Sequence, residues 1–130
     1  LRKGASGIVT ACCVPISALA ECIQKAKEGI AKYGLIAPIV GHVGDGNFHL
    51  QILVDPENSE EVSGAKALAA DLNALALEHE GTVTGEHGVG VGKLPYMQAQ
   101  HGEAYKVMAA IKRAMDPDNI LNPGKVNSVN

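Results

Sequence analysis

Two histidines, His42 and His49, bracket a glycine-rich stretch, Gly41-His-Val-Gly-Asp-Gly-Asn-Phe-His49. Imidazoles are metal ligands when the backbone folds them together. Asp45-Gly46 at the centre is among the strongest short signals for a two-residue hairpin loop, because a type I′ turn needs positive φ at both central residues. Counting outward from that turn puts Gly44 opposite Asn47, Val43 opposite Phe48 and His42 opposite His49. Directly opposed residues have Cβ atoms about 4.5–5.5 Å apart, close enough for two imidazoles to reach one ion. Glu86, after a later β-prone stretch, can add a carboxylate. Two histidines and one carboxylate with open positions suit Zn²⁺ first, with Fe²⁺ or Mn²⁺ also compatible, and leave room for a substrate oxygen. The competing reading makes the histidines exposed turn-flanking residues and Glu86 a solvated charge.

His87 follows Glu86, and the glycines flanking this pair, Gly85 and Gly88, allow a local bend that could bring both into one pocket. A histidine beside a metal site is a natural general base, since imidazole ordinarily titrates near pH 6.5. Asp45 and Asn47 are assigned to turn hydrogen bonds. His79, at a helix end, and His101, in a loop, are assigned to structure.

The glycine stretches do not make a phosphate loop. Five residues before Gly92-Lys93, where a Walker loop needs glycine, stands His87, and Leu94 replaces the required Ser or Thr. The Gly-x-Gly-x-x-Gly fingerprint also fails, with His49 following Gly44-Asp-Gly46 and Pro95 following Gly90-Val-Gly92.

The elements that would position these residues follow from periodicity. Ile8 to Val14 is short and β-prone. Ser17 caps a helix to about Tyr33, with Leu19, Cys22, Ile23, Ala26 and Ile30 on one face and Gly34 as its terminator. The hairpin arms run about 36–43 and 48–54. Alternation turns Ile39, Val43, Phe48, Leu50, Ile52 and Val54 to the core, and Val40, His42, His49, Gln51 and Leu53 away from it. Asn58 with Glu61 three residues on starts a second amphipathic helix, ended by Gly81. Thr82-Val83-Thr84 reads as a fourth strand. A last helix, about 103–115, turns Ala104, Val107, Met108, Ile111 and Met115 inward, and the tail from Asp116 is turn-rich. This β-α-β-β-α-β order with an additional C-terminal helix fits an α+β, ferredoxin-like sandwich, one sheet face covered by helices and the other free for a partner.

Length and composition bound the class. The 130 residues suit one domain, and 46% hydrophobic with 19% charged residues suits a soluble globular chain. A net charge of −3 with almost no aromatics gives no nucleic-acid footprint. No apolar run is long enough for a membrane span. Three cysteines without Cys-x-x-Cys spacing point to reduced thiols, hence the cytoplasm, or the mitochondrial matrix if eukaryotic. A chain opening on Leu1 rather than Met reads as part of a longer polypeptide. Self-association into a homo-oligomer is left open.

Three motifs in order, Gly41 to His49, Gly85-Glu-His-Gly-Val-Gly90 and Asp116-Pro-Asp-Asn-Ile-Leu-Asn-Pro-Gly-Lys125, resemble the C-terminal domain of FAD-linked oxidases. That group holds D-lactate dehydrogenases, the FAD subunit of glycolate oxidase and D-2-hydroxyglutarate dehydrogenase. Cys13-Val-Pro-Ile-Ser17 also resembles the family, although Ala11 stands where an acidic residue is usual. The resemblance implies that His42, His49 and Glu86 hold a divalent metal and that His87 takes the hydroxyl proton of a 2-hydroxy acid as hydride passes to FAD. It further implies that Asn122 lies on the flavin side, and that Gln51 meets substrate where the 2-hydroxyglutarate members carry asparagine. The flavin-binding domain, with its pyrophosphate loops, would be the partner region of the same parent chain, and residues 1–130 alone are expected to be inactive. Two other readings stay open: a non-enzymatic ferredoxin-like metal- or ligand-binding regulatory module, and a metal-assisted hydrolase using His87.

Overall fold

A computed structural model describes residues 3–127, which fall into two compact units that divide between Glu86 and His87. In the first unit, β1 (Ser6–Cys13), α1 (Ile16–Lys32), β2 (Ile39–His42), β3 (Asn47–Val54) and α2 (Ser59–Glu78) follow in order. The sheet is antiparallel with order β1-β3-β2. Thr82 adds a single antiparallel bridge to Cys13, on the far side of β1. The expected fourth strand is therefore one bridge long, in the place a ferredoxin-like order requires. The α+β class holds.

Alternation sorts β3 as expected on the core side. Phe48, Leu50, Ile52 and Val54 are buried and pack with Leu19, Cys22 and Ala26 of α1 and Ala65, Leu68, Leu72 and Ala76 of α2. Burial pushes the Cys22 thiol pKa up, with a smaller contribution from Glu21, so it stays protonated and inert. Pro38 lies beside β2, an edge strand, where its missing N–H breaks no ladder bond. The ladder resumes beyond it at Ile36, whose carbonyl accepts from Leu53 N–H at 2.8 Å.

The helix ends obey local chemistry with two differences. Pro15, not Ser17, occupies the N-cap of α1, and Ser17 lies inside the helix. Gly34 takes the expected left-handed φ of 62°. Asn58 caps α2 by accepting from Glu60 and Glu61 N–H at 3.1 and 3.2 Å. The Glu61 carboxylate reaches back to Asp55 N–H at 2.8 Å.

The second unit holds α3 (Leu94–His101) and α4 (Ala104–Met115). α3 was not anticipated. Its lone signal is Pro95 in the first turn, a favoured place for proline. His101 therefore ends a helix rather than sitting in a loop. In α4 the inward assignment fails, since no residue is buried and Val107, Ile111 and Met115 are exposed. A helical period marks an apolar face but does not name what covers it.

Asp116 organises the tail. Its carboxylate pairs with Lys112 and accepts from Ile120 N–H at 2.9 Å and Leu121 N–H at 2.8 Å. The Lys112 ammonium, followed by those two N–H groups, holds the Asp116 pKa below the usual carboxylate range. A depressed folded pKa stabilises above the unfolded value, about 3.9, and that contribution is lost as pH falls through the folded value. Amide exchange at Ile120 and Leu121 should thus be slow at neutral pH and accelerate below about pH 4, beyond the intrinsic acid dependence. Asp116→Asn should lose this protection at neutral pH. Equal protection in variant and wild type would remove Asp116 as the organiser.

Candidate metal centre

The hairpin register differs from the count. His42 pairs with Asn47, Gly41 with Phe48 and Val40 with His49, two residues away from the expected pairing. Val43–Asp45 forms a 3₁₀ turn and only Gly46 has positive φ, at 73°. Asp45 does not adopt the left-handed conformation that a type I′ turn demands, so the loop spans four residues. Tertiary contacts select this form. Gly46 carbonyl accepts from Val14 N–H at 2.9 Å, and Cys13 Sγ donates to Asp45 carbonyl at 3.2 Å. A Cβ on Gly46 would stand 2.0 Å from Val14 O, so only glycine fits. Val43, assigned to the core, is consequently exposed.

An even slip keeps every side chain on its face. His42 and His49 are now diagonal neighbours on the face opposite α1 and α2, with ring centroids 6.1 Å apart. Diagonal partners remain within reach of side chains of this size. His49 is buried, its side chain 10% exposed against 68% for His42.

Glu86 is delivered by the segment that follows α2. Cys13 and Thr82 exchange two backbone hydrogen bonds, at 2.8 and 2.9 Å, and Val83 is fully buried. Gly85, at φ 51°, then turns the chain over Asn47. Glu86 Oε1 lies 3.0 Å from His49 Nε2 and 3.7 Å from His42 Nε2. One ligand atom from each of the three residues falls within 4.8 Å of the others. Atoms bound to one ion at about 2.1 Å stand roughly 3.4–4.2 Å apart, so the widest separation must close by about 0.6–1.4 Å. The donor set fits a divalent ion.

His42 and Glu86 line a cleft of about 510 Å³ together with Cys13, Asp45, Asn47 and Thr82. Asp45 stays outside the three-residue group, consistent with a turn role. Asn47, assigned to the turn, instead donates from Nδ2 to Glu86 Oε2. Alternation could have found it, since Asn47 precedes His49 by two and must share its face. Gln51, two residues beyond His49, shares that face too and is exposed. An equally large groove between α1 and α2 carries ion pairs, Lys32 with Asp71 and Lys25 with Glu28, over leucines, and offers no comparable ligand set.

His87 begins the second unit and is exposed. Gly85 and Gly88 on either side both have positive φ, the bend that the flanking glycines foreshadow. Asn122 is exposed, at φ 47°, with its carbonyl accepting from Lys125 N–H at 3.2 Å.

Comparison with known proteins agrees with the motifs. The chain is 42% identical over 127 residues to a probable mitochondrial D-lactate dehydrogenase of Danio rerio, covering 97% of this chain and 26% of that protein. It is likewise 42% identical to the mitochondrial D-lactate dehydrogenase (cytochrome) of Arabidopsis thaliana, over 97% of this chain and 22% of the relative. To the glycolate oxidase subunit GlcD of Bacillus subtilis it is 40% identical, over 87% of this chain and 24% of that subunit. The chain thus spans about a quarter of the length of these relatives. The family model for the FAD linked oxidases, C-terminal domain, matches residues 1–126, and the chain belongs to that family.

Proposed function

We propose that this chain is the substrate- and metal-binding portion of an FAD-dependent dehydrogenase or oxidase of short 2-hydroxy acids, D-lactate or glycolate foremost. The observation that carries the reading is the His42, His49 and Glu86 group, converging on one cleft in a member of the FAD-linked oxidase family. D-lactate and glycolate share a hydroxyl beside a carboxylate, two oxygens that one ion can engage together. When bound, a divalent metal, Zn²⁺ first and Fe²⁺ or Mn²⁺ next, would polarise those oxygens as a Lewis acid. FAD, held mainly by a flavin-binding domain of the same parent chain, would supply the hydride acceptor.

The chain's own residues do the rest. The imidazoles of His42 and His49 and the Glu86 carboxylate would hold the ion, and two neutral donors with one anion would leave it net positive toward an anionic substrate. His87 takes the hydroxyl proton as the α-hydrogen departs with its electron pair, which leaves a 2-oxo acid. Gln51, on the His49 face, would meet the substrate, and Asn122 the flavin. No helix among the described residues is long and apolar enough to cross a membrane. The free cysteines Cys12, Cys13 and Cys22 favour a reducing compartment, the cytoplasm or a mitochondrial matrix.

The test is turnover by the intact flavoprotein with short 2-hydroxy acids and a dye acceptor. D-lactate or glycolate should bleach the flavin and reduce the dye, with activity lost on chelation and restored by added metal. A metal-loaded flavoprotein that is reduced by none of these acids would overturn the reading.

A further inference from the structure

Asn47 occupies a position no turn role requires. It is 6% exposed, lies opposite His42 on β2 and Cys13 on β1, and precedes His49 by two residues. Its Nδ2 donates to Glu86 Oε2, while the other carboxylate oxygen, Oε1, faces both imidazoles. The two oxygens of Glu86 thus have separate partners. Asn47 Oδ1 is buried and accepts no hydrogen bond. A Cβ on Gly85 would come within 2.7 Å of it, so only glycine lets the loop close over the amide. With the amide reversed, Oδ1 would oppose a carboxylate oxygen, a repulsive pairing that fixes which end faces Glu86.

We propose that Asn47 is a positioning residue that ties back Glu86 Oε2, making Glu86 a one-oxygen ligand and keeping coordination positions open for the two substrate oxygens. The inference rests on the metal reading above and deepens it. Groups that orient a metal ligand without touching the ion typically contribute about 10–100-fold to metal affinity.

The test uses the intact flavoprotein with Asn47→Ala and Asn47→Leu, leucine filling the amide's volume without an N–H. Zn²⁺ affinity by chelator competition should fall roughly 10–100-fold in both variants. With Co²⁺ in place of Zn²⁺, the visible ligand-field band should weaken in both, because a freed carboxylate that binds through two oxygens raises the coordination number. Unchanged affinity and an unchanged Co²⁺ band in both variants would overturn the role of Asn47. Recovery of both readouts in the leucine variant alone would assign the effect to filled space and also overturn it. A wild-type protein that binds no divalent metal, or binds it equally after Glu86→Ala, would instead overturn the underlying metal reading.

Discussion

Glu86→Ala empties the intact flavoprotein of divalent metal: after dialysis against a mild chelator, elemental analysis should find near-stoichiometric metal in wild type and almost none in the variant. Only His42 and His49 remain from the group, two neutral imidazoles of which one is largely exposed. Loss of the group's one anion also removes the negative charge nearest both imidazoles, leaving Asp45 as the carboxylate that lines the cleft. Turnover should fall at least about 10³-fold, since Lewis-acid stabilisation of developing charge is worth several kcal/mol. The fold should survive. The Glu86 side chain is 47% exposed, and exposed ion pairs contribute only about 0–1 kcal/mol. FAD content therefore stays near wild type and melting temperature near that of metal-stripped wild type, which separates metal loss from unfolding. Unchanged metal content in Glu86→Ala would end the three-ligand assignment.

The two histidines were brought together correctly from a wrong register, and the reason is energetic. Slipping β3 by one residue would turn Leu50 and Ile52 out of the core, and each fully buried side chain of that size is worth about 1.5–3 kcal/mol. The core therefore fixes the parity of the pairing, and parity alone decides which face His42 and His49 share. A shift of two keeps every paired side chain on its face and gives up only Val43, which the turn leaves exposed, so the loop is free to choose among even registers. That choice fell to Cys13 at the end of β1 and to Val14 just after it, which both meet the loop. No local count of turn residues contains this contact. Asp-Gly correctly marks a turn but not its length.

The remainder divides along the same line. Asn58 with Glu61 and Gly34 were legible because caps depend on neighbours within four residues. The fourth strand was legible in type but not in extent, as only Thr82 finds a partner on β1. The inward face of α4 was not legible, because its apolar stripe is a property of the sequence while its burial depends on what lies against it. Asn47 was within reach of the alternation that placed His49. Its side chain was instead assigned to the neighbouring turn, the commonest role for asparagine beside Asp-Gly.

His87→Asn should leave metal and FAD in place and lower kcat by roughly 10²–10⁴-fold, the usual worth of a positioned general base. The boundary between the two compact units falls between Glu86 and His87. Glu86 is fixed from the first unit by Asn47 and meets both imidazoles. His87 follows on a backbone bent by Gly85 at φ 51° and Gly88 at φ 80°, conformations open to glycine at little cost. A ligand and a base cannot be exchanged in kinetics, and that makes the pair diagnostic. Losing the ligand should remove metal and activity together, whereas losing the base should remove turnover from a fully loaded protein. Substrate affinity, read from the spectral change of the bound flavin, should shift by less than about threefold in His87→Asn, because a proton acceptor acts mainly in the transition state. Added imidazole should partly restore turnover in His87→Gly, where space for it is created, and should do nothing for Glu86→Ala. A His87→Asn protein that retains kcat within about threefold would remove His87 from the reaction while leaving the metal centre standing.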